Sequence, residues 1–241
     1  MKVLASMPDN MKAISMFIAD FDRTITDRDL MIDESCISMI AELRGRGIHT
    51  SLVTGRKQTF MEIFLERYQG VFESIICENG CRAYLNNDWH ALAESNCHTL
   101  VIEKFSEAGI EFDYGECIVS TEALSESEVA SLLSDISGWR SIVNVDSIMI
   151  LPPGIDKGTG IRWLQSMGGF SKEKTAGIGD GENDMVMREL CGVFGTPASA
   201  VSSLKDVADF VSSEEYSKGT RDFLGFLMTN YSLPMKGSHK M

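Results

Sequence analysis

No C-x-x-C pair occurs among the six cysteines, and the four histidines lie apart from any zinc spacing. Structural zinc and dithiol redox chemistry are therefore excluded, and reduced thiols at Cys36, Cys77, Cys81, Cys97, Cys117 and Cys191 point to a cytoplasmic protein. Nowhere do about 18 apolar residues run together, as a membrane span requires. The start MKVLASMPDNMK carries an apolar patch too short for a signal-peptide core. Met7 and Met11 are alternative starts, and the tail SLPMKGSHKM reads as frayed. Positive charge is also scarce: 22 Lys and Arg stand against 35 Asp and Glu, a net charge of -13. No Lys/Arg run could supply the phosphate-neutralising stripe that nucleic acid or an anionic membrane needs, so neither is an expected partner. Internal repeats and low-complexity segments are absent too.

What is present is ordinary for a globular chain of 241 residues: 44% hydrophobic and 24% charged. A sizeable core follows. Apolar runs of four to seven residues alternate with helical patterns, the signature of βαβ units and a parallel sheet. A strand at residues 14–19 leads to a helix over 33–44, ended by Gly45 and Gly47. HTSLVTG is a second strand before a helix presenting Phe60, Ile63, Phe64 and Tyr68, and ESIICENG is a third. From about residue 82 to 152 the pattern changes. There SESEVASLLSDI carries the capping box Ser125 and Glu128 ahead of Val129, Leu132, Leu133 and Ile136, which predicts a helix. The runs GECIVST and RSIVNVDSIMILP flank it as strands. After PPG the βα rhythm returns, with a helix over 156–167, a strand TAGIG, a helix over 182–190, short strands near Val193 and Phe210, and a last helix over 220–228. The fold class is thus α/β: a Rossmann-like parallel-sheet core, residues 1–81 and 153–241, with a small α+β cap inserted at 82–152. Hinges are expected near Cys81 and Pro152.

Four short stretches carry chemistry. FIADFDRTITD sets Asp20 and Asp22 two apart at the end of a buried strand, where i and i+2 share a side. VTGR brings Thr54, Gly55 and Arg56 to the end of the second strand. GIDKGTG opens a helix with Lys157 and Gly158, and IGDGEND brings Asp180, Asn183 and Asp184 to another strand end. Alone, each is equally a polar turn, a glycine turn or a solvated helix start. Together they converge, because ligands of open α/β sheets bind beyond the carboxyl ends of the strands. Asp20, Asp22, Asp180 and Asp184 would then crowd one crevice. Like charges about 4 Å apart repel by roughly 4 kcal/mol at an effective dielectric near 20. A divalent cation relieves this, and all-oxygen ligands suit Mg2+. A metal with Thr54, Lys157 and amides at helix starts is equipped to hold a phosphoryl group. An aspartate can attack phosphorus to form an aspartyl-phosphate, and a second can serve as acid and base.

In this order D-x-D-x-T, hydrophobic-T-G, K-G and G-D-x-x-N-D resemble the four motifs of the haloacid dehalogenase superfamily of phosphohydrolases. The chain also resembles the branch with a cap between the second and third motifs, which includes sugar-phosphate phosphatases and archaeal-type phosphoglycolate phosphatases. The resemblance implies Asp20 as nucleophile and Asp22 as acid/base, with Thr54, Gly55 and Lys157 holding the phosphoryl group and Asn183 positioning phosphate or substrate. It implies Mg2+ held by Asp20, the Asp22 carbonyl, Asp180 and Asp184. Arg23 departs from the pattern, where the family more often has Gly. The cap of some seventy residues resembles the compact caps of the phosphoglycolate enzymes, so a small phosphorylated metabolite is the expected partner, 2-phosphoglycolate first and small sugar phosphates second. A homodimer stays open.

Other classes fit less well. A phospho-accepting signalling module would place its motifs in another order within one compact unit. A phosphomutase shares all four motifs but needs a water-excluding cap. DGENDMVMRELC lacks the Gly and the terminal Glu of a calcium loop. GIDKGTG lacks P-loop spacing, and GIGDGEN is not G-x-G-x-x-G.

Overall fold

The computed structural model describes residues 13–94, 97–144 and 147–233. The alternative starts and the C-terminal tail lie outside the described residues. In chain order the elements are β1 (Met16–Asp20), α1 (Glu34–Gly45), β2 (His49–Val53), α2 (Gln58–Arg67), β3 (Ser74–Cys77), β4 (Arg82–Leu85), β5 (Asp88–Ala91), α3 (His98–Glu107), β6 (Asp113–Tyr114), β7 (Val119–Thr121) and α4 (Glu126–Leu132). They continue with β8 (Arg140–Asn144), β9 (Ser147–Leu151), α5 (Lys157–Gly168), β10 (Thr175–Ile178), α6 (Met185–Leu190), β11 (Val193–Thr196), α7 (Ser202–Val207), β12 (Phe210–Val211) and α8 (Tyr216–Asn230).

β1 lies inside an eight-stranded sheet of order β12-β11-β10-β1-β2-β3-β4-β5. Pairing is parallel from β12 to β3 and antiparallel at β4 and β5. All five residues of β1 are buried, as expected for a strand covered on both faces. Its side chains alternate between the two coverings. Phe17 and Ala19 join Ile40, Phe64, Phe223 and Leu227 under α1, α2 and α8. Met16 and Ile18 join Ile161, Leu164, Met187 and Leu204 under α5, α6 and α7.

A second, antiparallel sheet has the order β6-β7-β9-β8. Helices α3 and α4 cover it through Val101, Phe105, Val129 and Leu133, packed on Val119, Ile148 and Ile150. The expected capping box at Ser125 and Glu128 is formed. A smaller cluster of Cys81, Cys117, Ile118, Met149 and Leu151 lies where the two sheets meet.

Several boundaries differ from the sequence reading. The segment after residue 81 does not leave the large sheet but adds β4 and β5 to it, and the small sheet starts only at β6. Asn86 and Asn87 turn that hairpin with φ of 55° and 64°, the conformation a two-residue type I′ loop requires and Asn tolerates. Tyr84 and Trp89 pair across it with ring centroids 5.3 Å apart. RSIVNVDSIMILP is two strands rather than one. The helix expected over 182–190 is a 3₁₀ turn, Glu182–Asp184, followed by α6. Helix α3 was not anticipated, and α8 begins four residues earlier than its apolar spacing suggests.

Helix α5 is seated unusually close to the sheet. Asp156 caps it, accepting from Thr159 N at 2.8 Å, and Gly169 ends it in the left-handed conformation. A Cβ on Gly160 would overlap Ile76 Cγ2 of β3, so glycine there sets how near the helix, and Lys157 at its start, come to the strand ends. Gly160→Ala is expected to destabilise the protein by about 1–3 kcal/mol through overpacking, measured as a lower thermal unfolding midpoint. An unchanged or higher midpoint would mean α5 retreats freely.

Candidate active site

β1, β2 and β10 run parallel, so their carboxyl ends open on the same edge of the sheet. Asp20 is the last residue of β1 and pairs in register with Val53, the last of β2. Ala19 pairs with Ile178, the last of β10. Asp20, Thr54 and the turn Gly179–Asp184 therefore meet where the chain departs from β1 in both directions, the usual crevice for a ligand in such sheets.

Lys157 fills the space between two of the acids. Its Nζ lies 2.6 Å from Asp20 Oδ1 and 2.6 Å from Asp184 Oδ1, and all three side chains are buried. The other oxygen of Asp184 accepts the backbone N–H of Asp180 at 2.9 Å and of Gly181 at 3.0 Å. Asp180 accepts from the Thr24 hydroxyl at 3.0 Å. One carboxylate oxygen from each of Asp20, Asp180 and Asp184 lies within 4.8 Å of the others. The electrostatic cost of this crowding is visible. Burial first, then Asp184 and Asp180, hold the Asp20 carboxyl well above its ordinary pKa despite the opposing pull of Lys157. Burial and then Asp184 push Asp180 up to about 7. Burial works against the Lys157 ammonium, but Asp184 and Asp20 outweigh it and raise its pKa.

Asp22 stands apart from this cluster. The strand ends before it, and its carboxylate receives Arg56 Nε at 2.9 Å and Nη2 at 2.7 Å, a two-point ion pair. The Arg56 guanidinium also stacks 4.9 Å from the centre of the Phe60 ring. Arg23, the residue after Asp22, has φ 59°, a left-handed conformation that glycine adopts freely. Thr54 is buried, and its hydroxyl accepts Arg56 N at 3.0 Å. A Cβ on Gly55 would come 3.2 Å from both Asn79 Nδ2 and Met149 Cε, so a small residue fits where the two sheets approach.

Asp20, Asp22, Arg23, Gly55, Arg56, Lys157, Asp180 and Asn183 line one side of a cavity of about 760 Å³, and Thr24, Thr54 and Asp184 are buried outside that lining. The small sheet and its loops supply the other side, including Glu111, Asp113, Ser120, Thr121, Glu122 and Ser147. The sequence reading brought Asp20, Asp22, Asp180, Asp184, Lys157, Thr54, Gly55 and Asn183 to one place; the structure groups the carboxylates of Asp20, Asp180 and Asp184 there, whereas that of Asp22 is turned to Arg56. It gave no role to Thr24, although D-x-D-x-T contains it, nor to the pairing of Arg56 with Asp22.

The haloacid dehalogenase-like hydrolase family matches residues 17–127 and 125–224 of the chain. A phosphoglycolate phosphatase from Sulfolobus acidocaldarius is 27% identical over 229 residues, 90% of this chain and 97% of that protein. One from Thermoplasma volcanium is 27% identical over 221 residues, 85% and 94% of the respective chains. The crystal structure of Thermoplasma acidophilum 0175 superposes with a TM-score of 0.80 at 21% identity, covering 90% of this chain and 99% of that one. The chain belongs to the haloacid dehalogenase-like hydrolases. Within them it is a phosphatase of the Cof-type branch, subfamily IIB.

Removing the cation from between two buried carboxylates leaves charge uncompensated. Lys157→Met is expected to destabilise the chelator-treated protein by about 3–5 kcal/mol, read from denaturant unfolding; a loss under about 1 kcal/mol would mean that Lys157 is not what holds Asp20 and Asp184 together.

Proposed function

We propose that the protein is a magnesium-dependent phosphomonoester hydrolase that works through an aspartyl-phosphate on Asp20. One observation carries the reading: Asp20, Asp180, Asp184 and Lys157 are packed together at the carboxyl ends of parallel strands, with Thr54 at the neighbouring strand end. Three converging carboxylate oxygens form a hard, all-oxygen donor set that fits Mg2+. The ion would be held by Asp20, Asp180 and Asp184, with the Asp22 carbonyl as a further ligand. When bound, it neutralises the acids and the substrate phosphate.

The remaining steps fall to the chain's own groups. Lys157 and Thr54 hold the phosphoryl oxygens by charge and hydrogen bond, and Gly55 lets the phosphate approach the backbone. Asn183 orients it. An Asp20 oxygen attacks phosphorus while the bond to the leaving oxygen breaks, and Asp22 gives that oxygen a proton. Asp22 then takes a proton from a water that attacks the same phosphorus. The Asp20–phosphorus bond breaks, inorganic phosphate leaves, and both carboxyls return to their starting states. Arg56 holds Asp22 by two hydrogen bonds in a fixed orientation. The inserted unit acts as a cap that opens and closes over the cavity.

The named relatives support 2-phosphoglycolate as substrate. A second reading, a small sugar phosphate, is favoured by the cavity itself. Its cap side presents Ser120 and Ser147 with the acids Glu111, Asp113 and Glu122, while its lysines and arginines all come from the core side. Hydroxyls and carboxylates suit a polyol better than a second anion. The test is phosphate release from phosphoglycolate, hexose phosphates and an aryl phosphate, with magnesium or chelator. Asp20→Asn is expected to remain folded and to lose all but about a hundredth of the activity at most. The chelator should stop the wild type. Turnover that survives either change would sink the mechanism, and release that needs a sugar bisphosphate would turn it into a mutase.

A further inference from the structure

Glu78 follows β3 and is completely buried. Its carboxylate takes no partner from a lysine or arginine side chain among the described residues. It accepts three backbone N–H groups instead: Gln58 at 3.2 Å, Glu116 at 3.0 Å and Cys117 at 2.8 Å. The first opens α2 in the core, and the other two belong to the cap loop between β6 and β7. Lys57, which caps α2, gives that helix end no side-chain hydrogen bond, so Glu78 satisfies it from a distance. The cap loop is moulded to the carboxylate: a Cβ on Gly115 would lie 2.5 Å from Glu78 Oε1.

The backbone of the same segment braces the candidate phosphoryl-binding loop. Glu78 N donates to Arg56 O at 3.0 Å, and Asn79 N donates to Thr54 O at 3.0 Å. Both residues hold φ of 52°, and two successive non-glycine residues in the left-handed region persist only where surrounding contacts impose them. One short segment thus touches the cap with its side chain and the 54–58 loop with its backbone.

We propose that Glu78 is a positioning residue that couples seating of the cap to the placement of Thr54 and Arg56, its carboxylate gripping the 115–117 loop only when the cap is closed. The inference rests on the phosphatase reading above. When the cap lifts, Glu78 loses two of its three N–H partners while buried against the core, so the open state carries an unsatisfied carboxylate and closure restores it. Substrate binding and correct loop geometry then arrive together.

The test uses Glu78→Gln, whose amide nitrogen faces N–H donors, and Gly115→Ala, which presses on the carboxylate from the cap side and leaves the core untouched. Hydrogen exchange at the Glu116 and Cys117 amides is followed in the full chain, beside magnesium-dependent kinetics on the best substrate of the panel. Both variants are expected to exchange these two amides at least about tenfold faster, with global unfolding unchanged in Gly115→Ala. They should also lose about tenfold or more in kcat/KM, with kcat falling as well as KM rising. Unchanged exchange removes the clasp, and faster exchange with unchanged kcat/KM removes the coupling. If Glu78→Gln does not fold, Gly115→Ala decides both points alone. A wild type that releases no phosphate from any substrate defeats the phosphatase reading instead, and the exchange data still decide the clasp.

Discussion

Everything at this site depends on the crowding of like charge. Asp20, Asp180 and Asp184 are brought together by strands whose pairing cannot be relaxed without unmaking the sheet, and they meet where water is nearly excluded. Burial raises the pKa of both Asp20 and Asp180, so the arrangement survives only because positive charge is delivered to the same spot. Lys157 delivers it at 2.6 Å to two of the three acids. The ion pairs are costly to bury and costlier to break. A fold that maintains them is organised around this one cluster of buried charge.

Delivering that lysine is a problem of approach as much as of charge. It stands on the first residue of α5, and the helix must lie close to β3 for its amine to reach Asp20. Gly160 permits the approach over Ile76, and Gly80, at φ 103°, takes a turn whose Cβ would collide with Asp156 O just before the helix. Two missing side chains thus determine the reach of a third. The same segment, Glu78 to Gly80, braces the loop of Thr54 from the other direction, so the strand end of β3 organises the site without contributing to the acidic cluster.

Much of this was legible in the residues. Buried parallel strands announce themselves as unbroken apolar runs, and short motifs at their ends can face only one edge, which is why Asp20, Thr54, Asp180 and Asp184 could be brought together from order alone. What escaped lacked periodicity or depended on partners distant in sequence. β4 and β5 are four-residue strands with mixed faces, and only Asn86–Asn87 marks them as a hairpin. The ion pair of Arg56 with Asp22 spans 34 residues and leaves no local trace. Glu78 reads as an ordinary polar residue after a strand, because its three N–H partners come from two segments, one nearly forty residues away.

The division of labour between the two sheets explains why substrate is harder to read than chemistry. Groups forming the acidic cluster come from strand ends and one helix start, positions that the sheet fixes and that tolerate few residue types. Groups facing the rest of the cavity come from the β6–β7 turn, the loop after β7 and the start of β9, where backbone geometry constrains side-chain identity weakly. Charge in that region still discriminates. Lys57 is held by Asp113 at 2.7 Å and Arg56 by Asp22, so two of the basic groups lining the cavity are already engaged, whereas Ser120 and the neighbouring Glu122 face it from the small sheet. A substrate bearing a second anion would have to displace one of those ion pairs or recruit Arg23, which follows the second motif aspartate and lines the same cavity.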